Sequence, residues 1–270
     1  MAENKTGVIH PLLKRILENK RQEVHHTRGI VPLYDMKKKA EDADKPRPFA
    51  GGILAAKAKR KVIAEIKRIS PGNGQFRKDF DPAAIGKSYE AHGAAAVSVL
   101  TDTVFFGGSL GILAQVKDAV SLPVLRKDFI IDPFQIYEAR AWGADAVLLM
   151  AVNFASKEEF QDLIGIALEV GIEPLLEIHN AEEASWLPAG RHAVGINNRD
   201  FKNPDLKVDV DTAKKVAPLV KNARLLVSES GITSGYMMDE LMEQGIDAFL
   251  IGNALMRDAD PGAALTQLLK

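Results

Sequence analysis

The chain has 270 residues, 46% of them hydrophobic and 26% charged, with a formal net charge of −1 and no cysteine. That length suits one (β/α)8 barrel with a large core, although length alone also admits two smaller domains. The balanced charge offers no basic field for nucleic acid or an anionic membrane, and the missing cysteines exclude disulfides, thiolate metal sites and a cysteine nucleophile.

The N-terminal segment MAENKTGVIHPLLKRILENK is mixed in charge and has no apolar stretch of the secretory kind. No later run reaches the roughly 18–20 apolar residues of a membrane span. A cytoplasmic protein is expected. An amphipathic helix is predicted over 9–26, with Leu12, Leu13, Ile16 and Leu17 on one side, followed by a polar stretch at 37–48. The run Lys37-Lys38-Lys39 reads as a solvated face. Residues 1–50 thus form an extension packed on the barrel, within one domain spanning 1–270.

The first predicted strand, 61–67, carries Glu65 and Lys67 inside an apolar run. Alternation along a strand puts Ile63, Glu65 and Lys67 on one side, where two ions must be paired or used. Further strands are predicted at 95–100, 122–127, 145–150, 173–178, 193–197, 224–229 and 247–251. Helical patterns separate them at 82–92, 109–119, 133–142, 156–170, 181–187, 209–219 and 234–244, with a last helix near 260–269. Several open with a cap or first-turn proline, as in Asp81-Pro82, Asp132-Pro133, Ser156 and Ser234. Eight strand–helix units, apolar on both strand faces, favour a closed parallel barrel. No G-x-G-x-x-G follows an early strand, which argues against a dinucleotide-binding sheet.

In such barrels the site is built from the C-terminal ends of several strands. Those ends carry Glu65, Lys67, Lys127, Glu177, Asn197, Arg199, Glu229 and Ser230. Carboxylates and cations converging on one mouth invite shifted pKa values and acid–base chemistry. Lys127 is expected to be held charged by a carboxylate, with Glu65 the first choice. Phosphate-binding signals stand after strands seven and eight, in Ser230-Gly231 and Gly252-Asn253, with Ser70 in the first loop as a third side. Phe105 and Phe106 could wall an aromatic ring. The six histidines form no metal-binding spacing, so no metal is expected. His179 reads as a helix cap or rim group, and Trp142 and Trp186 as packing residues.

Taken in order, IAEIKRISPGNG, LTDTVFFGGSLGIL, LRKDFIIDPFQIYEARAWGADAVLLM, LLEIHN, VGINNRD, LLVSESGI and FLIGNALM resemble the indole-3-glycerol phosphate synthase family. The resemblance runs from about residue 9 to the C-terminus. It implies closure of the indole ring of 1-(2-carboxyphenylamino)-1-deoxyribulose 5-phosphate, with loss of carbon dioxide and water, in tryptophan biosynthesis. It implies no cofactor and no metal, with a phosphorylated small molecule as the partner. Lys127 matches the family's general acid for ring closure, Lys67 the second lysine, and Glu177 the acid/base glutamate. Glu65, Asn197, Arg199 and Glu229 match orienting residues, and Ser70, Ser230, Gly231, Gly252 and Asn253 match phosphate-binding positions. Two segments depart from the family. Gly72 and Asn73 replace the serine and lysine of SPSKG, and Thr103-Val104-Phe105-Phe106 stands where charged residues often precede an aromatic pair. A related barrel such as phosphoribosylanthranilate isomerase, or a non-catalytic phosphometabolite binder, is the alternative. The oligomeric expectation is a monomer or weak homo-oligomer.

Overall fold

The computed structural model of the protein describes residues 9–72, 74–203 and 205–270. Three helices come first: α1 (Pro11–Ile30), α2 (Leu33–Asp42) and α3 (Phe49–Ala55). The strands are β1 (Lys61–Ile66), β2 (Ile69–Ser70), β3 (Gly74–Gln75), β4 (Ala96–Leu100), β5 (Val124–Lys127), β6 (Ala146–Met150), β7 (Glu173–Ile178), β8 (Ala193–Asn197), β9 (Leu225–Glu229) and β10 (Ala248–Ile251). Between and after them run α4 (Pro82–Ala91), α5 (Thr103–Phe106), α6 (Leu110–Ala119), α7 (Pro133–Ala141), α8 (Lys157–Val170), α9 (Ala181–Ala184), α10 (Asp211–Val216), α11 (Gly235–Met242), α12 (Asn253–Met256) and α13 (Pro261–Leu269).

Eight strands close into a parallel barrel in the order β1-β10-β9-β8-β7-β6-β5-β4, and β2 and β3 form a small antiparallel hairpin beside it. This is the (β/α)8 barrel expected from the alternating pattern. The expected caps are formed: Asp81, Asp132, Ser156 and Ser234 accept backbone N–H groups at the starts of α4, α7, α8 and α11.

The two faces of each strand divide the core. Val62, Ala64 and Ile66 join the apolar layer between barrel and helices, whereas Ile63 joins the cluster inside the barrel. The same parity places Leu125, Leu175, Val227 and Leu250 inside. Two residues further along, the inward position becomes Lys127, Glu177, Glu229 and Gly252. Register sets these ends level: Leu100 pairs with Lys127, Met150 with Glu177 and Asn197 with Glu229.

The extension packs against both ends of the barrel. At the start of the strands, the Ala50 N–H of α3 donates to Glu173 Oε2 at 3.1 Å, and Phe49 and Ile53 pack into the inner cluster. At the opposite end, α1 lays Leu13, Ile16 and Leu17 on the same cluster. Helices α2 and α3 were not foreseen within the polar reading of 37–48 and the residues after it. Met36 and Ala40 give α2 a buried stripe four residues apart, masked in sequence by the exposed lysines around them. Trp142 corrects another expectation: it caps α7 with 44% of its surface exposed, while Trp186 does pack against the core. Among the described residues, no helix is long and apolar enough to cross a membrane.

Candidate active site

A cavity of about 370 Å³ opens at the C-terminal ends of the strands. Its polar floor contains all seven charged or amide groups expected there: Glu65, Lys67, Lys127, Glu177, Asn197, Arg199 and Glu229. Ser70, Ser230, Gly231, Gly252 and Asn253 line the same cavity. Phe106 belongs to the apolar wall, with its ring 6.0 Å from that of Phe129. Phe105 lies outside the lining; it packs on the inner core cluster beneath the Arg15 guanidinium, 6.0 Å away.

Lys127 sits between two buried carboxylates. Its Nζ lies 3.0 Å from Glu229 Oε2 and 3.5 Å from Glu177 Oε2. Burial alone would favour the neutral amine, but Glu229, Glu177 and Glu65 together outweigh it and raise the pKa above its ordinary value. The carboxylates respond in opposite senses. Burial pushes Glu177 up, yet Lys127, His179 and Asn197 overcome that and hold it ionised well below the usual range. Glu229 is raised, because burial and the charge on Glu177 exceed the pull of Lys127. An ammonium between one firmly ionised carboxylate and one close to protonation can give and recover a proton without net charge leaving the pocket.

Glu65 was expected to be the neighbour of Lys127, and here the geometry differs. Glu65 Oε1 accepts from Lys67 Nζ at 2.5 Å, so these two strand neighbours pair with each other. Lys67 also lies 5.4 Å from the Phe76 ring centroid. Gly252 exists in part for this pair, since a Cβ there would run into the Glu65 carboxylate. Asn197 Nδ2 donates to Glu177 Oε1 at 3.0 Å, and its Oδ1 accepts the Arg199 N–H at 3.0 Å. Arg199 in turn donates to the Leu206 carbonyl at 3.1 Å.

The turn after β9 is shaped by backbone. Ser230 (φ 67°) and Gly231 (φ 81°) are both left-handed, and a Cβ at Gly231 would approach Val208 to 2.6 Å. Asn198 holds the turn: its Nδ2 donates to the Ser230 carbonyl at 2.9 Å and to Ser228 Oγ at 3.1 Å. Sequence reasoning passed over Asn198 because an amide on the outer face of a strand end gives no charge signal. Of the two departures from the family pattern in the first loop, Gly72 is left-handed (φ 83°), and Asn73 lies outside the described residues.

Three further features escaped the sequence. Leu12 and Ile16 of α1 line the cavity, so the extension contributes to the site. Lys20, fully buried, bridges Asp128 Oδ1 at 2.9 Å and Asp102 Oδ2 at 3.3 Å, tying α1 to the segments after β5 and β4. His179 is neither cap nor rim: Asn180 caps α9, and His179 is buried between Glu177 and Glu183. Among the described residues, no group of three or more His, Asp or Glu is placed to hold a metal ion.

The family model for indole-3-glycerol phosphate synthase matches residues 13–268. The chain belongs to that family. The indole-3-glycerol phosphate synthase of Carboxydothermus hydrogenoformans is 43% identical over 264 residues, covering 95% of this chain and 99% of its own. That of Laribacter hongkongensis is 41% identical over 261 residues, covering 95% and 98%. A third, from Chromobacterium violaceum, is 40% identical over 260 residues, covering 95% and 97%. Membership sets aside the isomerase and non-catalytic readings, and it places the chain among lyases of tryptophan biosynthesis acting on a phosphorylated small molecule.

Proposed function

We propose that the chain converts 1-(2-carboxyphenylamino)-1-deoxyribulose 5-phosphate to indole-3-glycerol phosphate, carbon dioxide and water, and that it does so with the groups on this floor. The observation that carries the assignment of roles is the position of Lys127 between Glu229 and Glu177. A charged ammonium there delivers a proton to the ketone oxygen while the ring carbon bearing the carboxylate attacks the ketone carbon. Carbon dioxide then leaves, returning its electron pair to the ring. Lys67, paired with Glu65, protonates the departing hydroxyl, and Glu177 accepts the proton whose loss completes the indole. Arg199 and Glu229 orient the anthranilate portion, and Phe106 and Leu12 flank its ring. Ser70, Ser230, Gly231, Gly252 and Asn253 hold the 5′-phosphate of the sugar chain within the same cavity. Neither cofactor nor metal enters these steps.

We place this activity in one barrel domain with residues 1–50 as its extension, in the cytoplasm, as a monomer or weak homo-oligomer. Among the described residues, the exposed large hydrophobics other than Ile30 and Tyr34 stand on separate segments, as Leu54, Leu168, Leu219 and Tyr236 do, which supports that state.

Lys127→Ala should reduce kcat by at least about a hundredfold, the usual cost of a missing proton donor. Fluorescence of the indole product follows the reaction directly. Turnover within a few-fold of the parent would sink the role given to Lys127.

A further inference from the structure

His179 follows β7 by one residue and shares the strand parity of Glu177, so the two side chains leave on the same side. Its ring stands between two carboxylates. Nδ1 lies 2.9 Å from Glu183 Oε2, and Nε2 lies 3.2 Å from Glu177 Oε1. The first is a hydrogen bond; the second is an ion-pair contact. An ionised carboxylate only accepts, so a ring facing one on each side is best served with a proton on both nitrogens.

The far carboxylate is itself anchored. Glu183 Oε2 also accepts the backbone N–H of His179 at 2.8 Å, and Glu183 Oε1 pairs with Lys202 Nζ at 3.1 Å. The Glu183 backbone N–H is capped by Asn180 Oδ1 at 3.0 Å. The Phe201 ring stands edge-on to the imidazole, with centroids 5.9 Å apart. Charges therefore alternate from Lys202 through Glu183, His179 and Glu177 to Lys127.

The consequence falls on the two oxygens of Glu177. Oε1 is engaged by Asn197 Nδ2 at 3.0 Å and faces His179. Oε2 has no donor in hydrogen-bonding geometry among the described residues; it faces the Lys127 ammonium at 3.5 Å, with the Glu229 carboxyl as the other group beside Glu177. We propose that His179, braced by Glu183, is a positioning residue that fixes Oε1 of Glu177 and leaves Oε2 as the oxygen that exchanges protons with the substrate. This rests on the assignment of Glu177 as the proton acceptor. Titration agrees in direction: burial disfavours the charged ring, but Glu177 and Glu183 prevail and raise it to about 10.

His179→Gln keeps a side-chain donor and removes the positive charge. The expected result is a kcat lower by about tenfold or more with KM changed less than about threefold. Glu177 then loses a cation, its pKa rises, and the acidic limb of the kcat profile moves to higher pH. Glu183→Gln, which loosens the ring but leaves its charge in place, should lower kcat by less and leave that limb nearer the parent position. An acidic limb unmoved in a folded His179→Gln protein overturns the proposal. A second measurement needs no variant: nitrogen NMR of the parent protein should show one imidazole doubly protonated at pH 8.5. No such imidazolium among the six histidines would equally overturn it. Glu177→Gln is the control for the underlying assignment. If that variant stays active, Glu177 is not the proton acceptor, while the imidazolium signal still reports on His179 separately.

Discussion

Glu65 and Glu229 occupy equivalent inward positions at their strand ends, yet only Glu229 lies in hydrogen-bonding range of Lys127, at 3.0 Å. Glu65 acts on that lysine at longer range and as the third of its carboxylates in strength. The two glutamine variants should therefore separate. Glu229→Gln removes the largest charge holding Lys127 protonated, so the lysine pKa falls and the basic limb of the pH–rate profile moves to lower pH. Glu65→Gln should move that limb less and instead impair the dehydration step proposed for Lys67. Parallel profiles with equal shifts would contradict the pairing seen here. Strand parity made the membership of this cluster legible from the sequence, since the inward ends of β1, β5, β7, β8 and β9 are polar, whereas β4 and β6 end inward on Leu100 and Met150. It could not say which cation meets which carboxylate. That choice depends on barrel register and side-chain reach, which place Glu177 and Glu229 on neighbouring strands of β8 and Glu65 beside its own lysine. His179 was misjudged for a related reason: a histidine just past a strand looks like a rim group until the buried Glu183 beyond it is placed in space.

At the scale of elements, α1 is fastened by charge as well as by its apolar stripe. Lys20 reaches Asp128, Asp102 and Glu23, and Asp128 also takes the Arg126 guanidinium at 3.1 Å. Burial would raise the Asp128 carboxyl, but Lys20 and Arg126 bring it down to about 2. Because Asp128 adjoins Lys127 in the chain, this knot couples the seating of α1 to the strand end that carries the proposed acid. Lys20→Met keeps the side-chain volume, removes the cation paired with buried Asp102 and leaves Asp128 with Arg126 alone. Removing one partner of a buried pair typically costs about 3–5 kcal/mol. Urea denaturation should show a loss of that order, and KM should rise as Leu12 and Ile16 leave the cavity wall. A loss below about 1 kcal/mol would mean that the apolar stripe alone seats the helix. The helix itself was legible in its i, i+3, i+4 pattern. Its docking partner was not, because Lys20 reads as one more solvated charge among many. The hairpin β2–β3 and the short helix α3, which carries Gly51 and Gly52, were equally hidden: tertiary contacts hold them, and their local propensity is poor.

Across the whole molecule, apolar barrel layers carry the fold while the mouth gathers buried ions that favour function over stability. The balance should be visible as pH changes. Asp128 and Glu177 are both depressed on folding, so the unfolded chain binds more protons than the native one in acid. Their contribution is present above the ordinary carboxylate values and is lost as pH falls through about 2 for Asp128. Glu229 has the opposite sign. Its native pKa is raised from 4.5, so the native state holds the extra proton and stability declines as pH climbs above that value. His179 follows the same sign in a later window: its contribution is complete below 6.5 and fades as pH rises through about 10. Unfolding free energy measured against pH should therefore rise out of the acid range, peak in the weakly acidic region and fall towards alkaline pH. Glu229→Gln should flatten the first part of that fall, between the ordinary glutamate value and neutrality. His179→Gln should flatten the later part, above 6.5. A profile still rising through neutrality in the parent protein would mean that the mouth does not hold these protons as its geometry requires.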